Sequence, residues 1–355
     1  MPPRSHIPVE KPTEHSLLLN IARRAHLFLT PDGQPHVTVP LTGNTVPLYS
    51  PIFRDWLSQA FEERGFLPSS AQYGAVMRKL EEDAHGAGEP FPVHVRTALS
   101  APQTYRIDLY NASNEAIEVN GKQWRVIYNE NCRFRRPASS LPLPTPEPNN
   151  APIQNFLMRL FSIKEPEAQM LVTWLVSAML PNLKPPVLCI TGQAAVDAAE
   201  KLRSIIDPMR SAGNILPVTE NQFGVMAIIN HIPTFSLGTS ITENCKSNLN
   251  KLRTGIKVRL IQVGTKREAL TATIHRPVIV SAQGPIKIHD SQLNIEINET
   301  CNTLHEQILA SLLDAIVRGI REMTRQQQQE YFSATQVLPM PLPSIENPEA
   351  QKPDT

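Results

Sequence analysis

The chain has 355 residues, with 33 Pro, only 15 Gly, and 34 basic against 33 acidic side chains, which leaves a net charge of +1. Average usage would give about 25 Gly and about 18 Pro, so the glycine shortage argues against a function that needs several glycine-rich phosphate loops. The balanced charge argues against a globally basic nucleic-acid binder, while a local basic patch is still allowed.

Proline-rich stretches divide this length into two predicted folded units. Residues 1–12 hold four Pro and are expected to form a flexible arm. Residues 137–152 hold six and are expected to form an extended linker, because proline is excluded from helix interiors and central strands. Residues 331–355 are expected to be a disordered tail. The predicted units are a small α+β domain over 13–136 and an α/β domain over 153–330.

In the first unit, apolar residues recur at helical spacing before alternation takes over. They predict helices over Glu14–Leu29, with Thr13 as N-cap, Pro51–Arg64 and Ser70–Ala84. The turn Pro31-Asp32-Gly33 between two apolar runs predicts a hairpin. Asn120-Gly121 predicts a second hairpin turn. Period-two alternation predicts strands at Val93–Arg96, Tyr105–Tyr110, Ala116–Val119 and Trp124–Tyr128.

In the second unit, strand and helix patterns alternate, which predicts a mostly parallel α/β sheet. The continuous apolar run Pro186–Thr191 is typical of a strand buried on both faces. Helices are predicted over Ile153–Phe161, Glu165–Leu180, Ala195–Ile206 and Leu304–Thr324. Further strands are predicted at Met226–Ile229, Thr234–Leu237, Val258–Val263, Leu270–Ile274 and Pro277–Ser281.

The four cysteines, Cys132, Cys189, Cys245 and Cys301, form no C-x-x-C and none lies beside a His at metal-ligand spacing. They are expected to be buried or inert thiols, and no metal site is expected. The most apolar run, Met170–Leu180, is too short to span a bilayer. Without an apolar leader at the N-terminus, the chain is expected to be soluble and cytoplasmic, with no membrane partner.

The order of several short strings resembles a family of bacterial prophage and genomic-island P-loop ATPases, described as primase-helicase-like ATP-binding proteins. The resemblance covers most of residues 15–320. It implies a RecA/AAA+-like core, preceded by a small N-terminal domain, and a role in replicating mobile-element DNA. The strings that carry it include PVHVR, YRIDLY, FRRPASSLPLP, PPVLCITG, IIDP, NHIPTF and RPVIV.

A phosphate loop, G-x-x-x-x-G-K-[ST], is expected after PVLCIT, because its backbone N–H groups and Lys must reach the phosphates. Gly192 occupies the first position, but Asp197, Ala198 and Ala199 stand where glycine, Lys and Ser/Thr are needed. An alternative cation, Lys201, lies about 300° around a helix from Ala198. It is expected to be an ordinary surface lysine.

The other catalytic positions that the resemblance implies are also changed. Ser236 stands where a strand should end in the Mg²⁺-binding Asp, Ser281 where a polar sensor Asn is common, and Ser291 where an Arg is expected. Phosphoryl transfer would lack groups to stabilise its developing charge. We therefore expect no ATP hydrolysis and no cofactor, with ATP and Mg²⁺ considered only if the altered loop still binds them.

Two basic segments are candidates for a different role. Residues 244–267 carry seven cations and no acid, and end in a predicted hairpin. Contact with a DNA backbone is one interpretation, and a solvated basic face is the other. The residues concerned are Lys251, Arg253, Lys257, Arg259, Lys266 and Arg267. The second segment, RFRRP at residues 133–137, is expected to be a capped domain boundary, and an edge strand with its arginines outward is the other interpretation.

Three functional hypotheses follow. The first is a catalytically inactive relative of mobile-element replication ATPases that acts in phage or island DNA replication as a structural or regulatory partner of an active ATPase paralogue or another replication protein. The second is an active ATPase or helicase with non-standard nucleotide ligands. The third is a DNA-binding accessory module that uses the basic hairpin near residues 257–267.

Overall fold

The computed structural model describes residues 13–40, 42–181, 183–210, 219–237, 241–261, 269–288, 292–301 and 305–322. The predicted arm at 1–12 and tail at 331–355 lie outside these residues. The fold is of the mixed α/β class, as predicted, with several separate sheets.

The N-terminal part combines three helices with a three-stranded antiparallel sheet in the order β1-β2-β3. Thr13 is confirmed as the N-cap of α1, since its side chain accepts the N–H of Ser16. Ser50 accepts the N–H of Phe53, and Ser69 forms a capping box with Gln72. The elements are α1 (Glu14–Ala22), β1 (His26–Leu29), β2 (Pro35–Thr38), β3 (Thr45–Pro47), α2 (Pro51–Glu62) and α3 (Ser70–His85).

The prediction of one helix through Leu29 is wrong in its second half. The helix ends at Ala22, and residues 26–29 pair with residues 35–38 across the predicted Pro31-Asp32-Gly33 turn. The apolar residues of this stretch fit both periods, and pairing with a neighbouring strand decides between them.

An antiparallel meander, in the order β5-β6-β7-β8, follows. Its last hairpin is the predicted one: Asn120 turns the chain by accepting the N–H groups of Lys122 and Gln123. The elements are β4 (Val93–His94), β5 (Thr97–Ala101), β6 (Thr104–Asp108), β7 (Glu115–Val119), β8 (Trp124–Tyr128) and β9 (Arg133–Phe134), and β4 pairs with β9.

The proline-rich run 137–152 contains no helix and no named strand. This run nevertheless forms hydrogen bonds with both the N-terminal and the C-terminal half of the chain. The N–H of Leu143 donates to Leu109, the N–H of Leu141 donates to Pro208, and Ser311 donates to the carbonyl of Ala151. The run therefore connects the meander to the C-terminal half along its length.

The C-terminal part contains a four-stranded, fully parallel sheet in the order β11-β14-β10-β15. A separate antiparallel hairpin is formed by β12 and β13. The elements are α4 (Ile153–Phe161), α5 (Glu165–Met179), β10 (Val187–Thr191), α6 (Ala195–Ile206), α7 (Glu220–Ile229), β11 (Thr234–Ser236), α8 (Glu243–Thr254), β12 (Ile256–Ile261), β13 (Ala269–Ile274), β14 (Ile279–Ala282), β15 (Gln292–Glu296) and α9 (His305–Glu322).

One predicted strand of this half is wrong: residues 226–229 form the last turn of α7. A capping box between Thr219 and Gln222 starts that helix. The apolar run Met226–Ile229 then continues it, because an apolar run this short has no period of its own. The helix α8 and the strand β15 are further elements for which we made no prediction.

The buried strand β10 is confirmed, because alternate side chains enter two different cores. Leu188 and Ile190 belong to a large core that also contains Tyr105 of β6 and Trp174 of α5. Val187 and Cys189 face a second core formed with α7, α8 and β12. Residues on both sides of 137–152 thus share one hydrophobic core. The division into units at 13–136 and 153–330 stays a prediction.

Candidate functional site

The connection between β10 and α6 is where the sequence placed the altered phosphate loop. Only three residues, Gly192 to Ala194, separate the end of β10 from the start of α6. The helix has no side-chain N-cap. Its start is therefore held by whatever the backbone of this short connection contacts.

Gly192 is required here by backbone conformation and by space. Its φ is +108°, and a Cβ would lie 2.5 Å from the carbonyl oxygen of Ile297 and 2.6 Å from Oδ1 of Asn298. Both residues follow β15, whose strand is bonded to β10 along its whole length. The chain after β15 therefore passes directly against the loop.

The N–H groups of the connection are already used within the protein. Gln193 donates to Oδ1 of Asn298 at 3.1 Å, Ala194 to the carbonyl of Ile297 at 3.2 Å, and Ala195 to the carbonyl of Gly192 at 3.3 Å. A phosphate cradle needs such N–H groups directed at the ligand. In this connection, the Ile297–Asn298 segment takes the place that a phosphate would need.

Asp197 lies on the exposed side of α6, where its carboxylate contacts Lys201 of the same helix and Thr300. Its Oδ2 lies 2.8 Å from Nζ of Lys201, and it accepts a hydrogen bond from Thr300. Lys201 also donates to Oγ1 of Thr300 at 2.8 Å. Burial raises the pKa of Asp197, but the bonds from Lys201 and Thr300 outweigh it and hold that pKa below its usual value. Lys201 is thus committed to Asp197 and Thr300.

Ala198 and Ala199 lie on the opposite face of α6, inside the large core, and each is at most 1 % exposed. They are second-turn residues of a regular helix. Their positions serve packing, and a longer polar side chain at either would enter the core.

Two further predicted positions are brought together by the sheet. Ser236 of β11 stands directly opposite Ser281 of β14 in the parallel register, and Thr191, which precedes Gly192, stands opposite Ala282. The three positions Gly192, Ser236 and Ser281 therefore lie at the carboxyl ends of neighbouring strands, where open α/β sheets bind ligands. Ser281 is buried and donates to the carbonyl of Phe235. Ser291 lies outside the described residues.

The basic segment is partly neutralised by acids from elsewhere in the chain. Lys251 pairs with Glu220 at 2.8 Å, and Arg253 donates to the amide oxygen of Asn250. Lys257, on β12, is exposed and forms no ion pair with a described residue. Arg259 follows on the same strand, and the hairpin predicted there is confirmed. Lys266 and Arg267 lie outside the described residues.

Arg136 of RFRRP does not point outward, which corrects the interpretation of this segment as a strand with all its arginines outward. Arg136 is 3 % exposed and makes a two-pronged bond to Asp108, at 2.8 Å and 2.6 Å. Arg96 and Asp207 form a second buried ion pair. The four residues belong to the strings FRRP, YRIDLY, PVHVR and IIDP, to which the sequence alone assigned no role. Their role in the structure is to join distant segments.

Among the described residues, no group of three or more His, Cys, Asp and Glu side chains is arranged to hold a metal ion. Nor does any described helix combine the length and apolar character needed to cross a membrane. The absence of a metal and of a cofactor stays an expectation.

Comparison with known proteins gives limited matches. No family model matches the chain, and no curated protein matches it. Among solved structures, an A-form apo structure of the C-terminal region of NrS-1 is similar, with 12 % identity and a TM-score of 0.45 over 90 % of this chain and 71 % of that one. A second such structure, of residues 305–718, has 12 % identity and a TM-score of 0.39, and covers 91 % and 75 %. TM-scores this low indicate only a weak similarity in the path of the backbone, and no activity is inferred from it.

Proposed function

We propose that this chain is a non-hydrolysing relative of mobile-element replication ATPases, with a RecA/AAA+-like core, which acts as a structural or regulatory partner in phage or genomic-island DNA replication. The observation that carries the proposal is the closed connection at Gly192. Its backbone N–H groups bond to Ile297 and Asn298. A phosphate would have to displace both.

The chemistry of the neighbouring side chains supports the same proposal. Phosphoryl transfer needs a cation on the β/γ-phosphates, a Mg²⁺ ligand, and donors for the developing charge. Ala198 and Ala199 offer neither charge nor oxygen and are packed in the core. Lys201 is already paired with Asp197. Ser236 presents a hydroxyl group where a carboxylate would normally hold the metal, and Mg²⁺ sites usually rely on carboxylates. Ser281 stands where a polar sensor Asn is common.

The parallel sheet supports the retention of an ATPase-like scaffold. Its central strand β10 is followed by α6, and the ends of β10, β14 and β11 are adjacent. A chain that keeps this core without its phosphate site would still offer the outer surfaces of an ATPase subunit. We infer that such surfaces would let it join an active ATPase paralogue or another replication protein.

The proposal is tested by thermal unfolding with and without millimolar Mg²⁺-ATP. A ligand that binds only the folded state raises its stability. We expect that ATP does not bind at the loop. Any change that ATP causes in the midpoint of thermal unfolding should therefore be the same in the wild-type chain and in Lys201→Ala. A stabilisation by Mg²⁺-ATP that Lys201→Ala removes would favour instead an active ATPase with non-standard ligands.

A second candidate function, DNA-backbone contact, is favoured by the exposure of Lys257 on a hairpin that stands apart from the main sheet. Phosphate neutralisation gives affinity without sequence readout and makes binding sensitive to salt. The cations of the segment would neutralise the phosphates. Lys251 would contribute less, because it is already paired with Glu220.

Charge reversal tests this second candidate. The triple variant Lys257→Glu, Lys266→Glu, Arg267→Glu should weaken DNA binding and lower the slope of log affinity against log salt by roughly 0.7–0.9 for each lost contact. Lys79→Glu on α3 is the matched control and should leave both quantities unchanged. Equal binding by the triple variant would show that the hairpin is a solvated basic face.

A further inference from the structure

A cavity of about 560 Å³ lies between the β1–β2 turn and the base of the β12–β13 hairpin. Asp32 and Arg135 line it on the N-terminal side, and Ile228, Ile274 and Arg276 line it on the C-terminal side. Its volume falls in the range of pockets that hold small organic molecules. It shares no lining residue with the connection at Gly192.

The charged side chains that line this cavity, in the described part of the chain, are two arginines and one aspartate: Arg135, Arg276 and Asp32. His36, which also lines it, adds no charge at neutral pH. Burial lowers the pKa of His36 to about 4, and the positive charge of Arg135 contributes to the same shift. The cavity therefore carries a net positive charge.

Arg135 presents a donor without an acceptor. Its Nη2 lies 3.2 Å from Nε2 of His36, whose Nδ1 donates to the carbonyl of Gln34 at 3.3 Å. The neutral ring therefore accepts from Arg135 through Nε2. Nε of Arg135 is buried and has no hydrogen-bond partner in the described part of the chain. Leaving such a donor unsatisfied is unfavourable, so the guanidinium group of Arg135 beside the cavity is not fully used by the described residues.

Arg276 is held rigidly at the opposite wall. Its Nε donates to the carbonyls of Ala227 and Asn230, at 2.8 Å and 3.0 Å, at the end of α7. Burial and, to a smaller extent, the charge of Arg135 lower the pKa of Arg276 to about 10, although the charge of Asp207 opposes this shift. Both guanidinium groups line the same cavity, where their like charges repel each other. An anion between them would relieve that repulsion.

We propose that this cavity binds a phosphate group, carried either by a small organic phosphate or by a nucleic-acid backbone. Guanidinium groups suit this chemistry, because their planar set of donors matches the oxygens of a phosphate. The apolar side chains of Ile228 and Ile274 would contact the body of the ligand. This inference is independent of the proposed function, since it needs neither the loop at Gly192 nor the basic hairpin.

The test is a titration of the full chain with three probes, followed by calorimetry: inorganic phosphate, dAMP and a single-stranded oligo-dT. Arg135→Gln should weaken binding about tenfold or more, because it removes a charged donor. Asp32→Asn should strengthen binding severalfold, because it removes a repelling carboxylate from the same cavity. Arg24→Gln, an exposed arginine outside the cavity, is the matched control and should change nothing.

The probes identify the source of the phosphate. If dAMP or inorganic phosphate binds, and Arg135→Gln weakens that binding while Asp32→Asn strengthens it, the ligand is a small organic phosphate. Binding of oligo-dT alone, with the same two responses, supports a nucleic-acid backbone. Absence of binding by all three probes, or binding that Arg135→Gln and Asp32→Asn leave unchanged, overturns the proposal. Circular dichroism checks that both variants fold, and Asp32→Asn alone carries the test if Arg135→Gln does not.

Discussion

Arg96 and Asp207 form a buried ion pair, with Nε of Arg96 3.2 Å from Oδ1 of Asp207 and both side chains at most 3 % exposed. Arg96 also donates to the carbonyls of Asp108 and Leu141, and the second carboxylate oxygen of Asp207 accepts the N–H groups of His231 and Ile232. One pair therefore ties the start of the meander, the proline-rich run, the end of α6 and the segment before β11 together.

Breaking this pair should be costly. Arg96→Gln leaves the carboxylate of Asp207 buried without its countercharge, a change that typically costs about 3–5 kcal/mol. Urea unfolding measures it. Arg23→Gln is the matched control, because its pair with Asp83 is partly exposed to solvent and solvent-exposed pairs contribute about 1 kcal/mol or less. Equal losses in the two variants would contradict the structural role given to Arg96.

Gly192→Ala should destabilise the protein through the loop itself. The added Cβ would meet the carbonyl of Ile297 at 2.5 Å and would force a side chain into a backbone conformation with φ of +108°. We expect a loss of about 2 kcal/mol or more in the free energy of unfolding. Gly284→Ala is the control, because nothing lies within 4 Å of its added Cβ. A stable Gly192→Ala variant would mean that the loop is more open than described.

Stability should fall as the pH is lowered from 7.5 to 5.5. Burial lowers the pKa of His36, His94, His231 and His275 to about 4 in each case. The unfolded chain takes up these protons below about pH 6.5, whereas the folded chain resists them down to about pH 4. The stability is therefore complete above pH 6.5 and is lost as the pH falls towards 4, by about 1 kcal/mol for each histidine at pH 5.5.

Urea unfolding at the two pH values measures this loss. His36→Gln should flatten the pH dependence by about 1 kcal/mol, because one of the four histidines is then missing. His15→Gln, which changes an exposed histidine on α1, should leave it as in the wild type. A wild-type stability that is equal at both pH values would contradict the burial of these four rings.

Thiol reactivity should separate one cysteine from the other three. Cys132, Cys189 and Cys245 are buried, and burial raises the pKa of all three, that of Cys189 to about 12. Cys301 is exposed, which departs from the expectation of uniformly inert thiols. A chromogenic disulfide reagent should titrate one thiol rapidly in the native protein and four in urea. Cys301→Ser should remove the rapid phase, and its persistence would show that another cysteine is accessible.

Local sequence signals located much of the fold. Thr13 marked the start of α1, the apolar run before Gly192 marked the central strand, and the bounds of α6 agree with the prediction. These features depend on contacts within a few residues, so a single sequence carries them. The end of α1 and the identity of α7 do not, because apolar runs of four residues are compatible with either period and tertiary pairing selects one.

The candidate site likewise has one part that local sequence predicts and another that depends on distant contacts. The sequence drew attention to the connection at Gly192, but it gave no sign of Asn298, whose Oδ1 accepts the N–H of Gln193 from 105 residues further along. Arg96 and Asp207 are 111 residues apart, and nothing in the strings PVHVR and IIDP predicted that these two residues would pair. Contacts over such distances follow from the strand order of the sheet, which local patterns leave open.

The central claim is that an ATPase-like core persists here without its phosphate site, and the rate of phosphate release from Mg²⁺-ATP tests it most directly. We predict no release above background for the wild-type chain, and none for Lys201→Ala or Arg135→Gln. Nucleotide binding that only Arg135→Gln weakens would belong to the cavity and leave the claim intact. Mg²⁺-dependent phosphate release by the wild type that Lys201→Ala abolishes would contradict it.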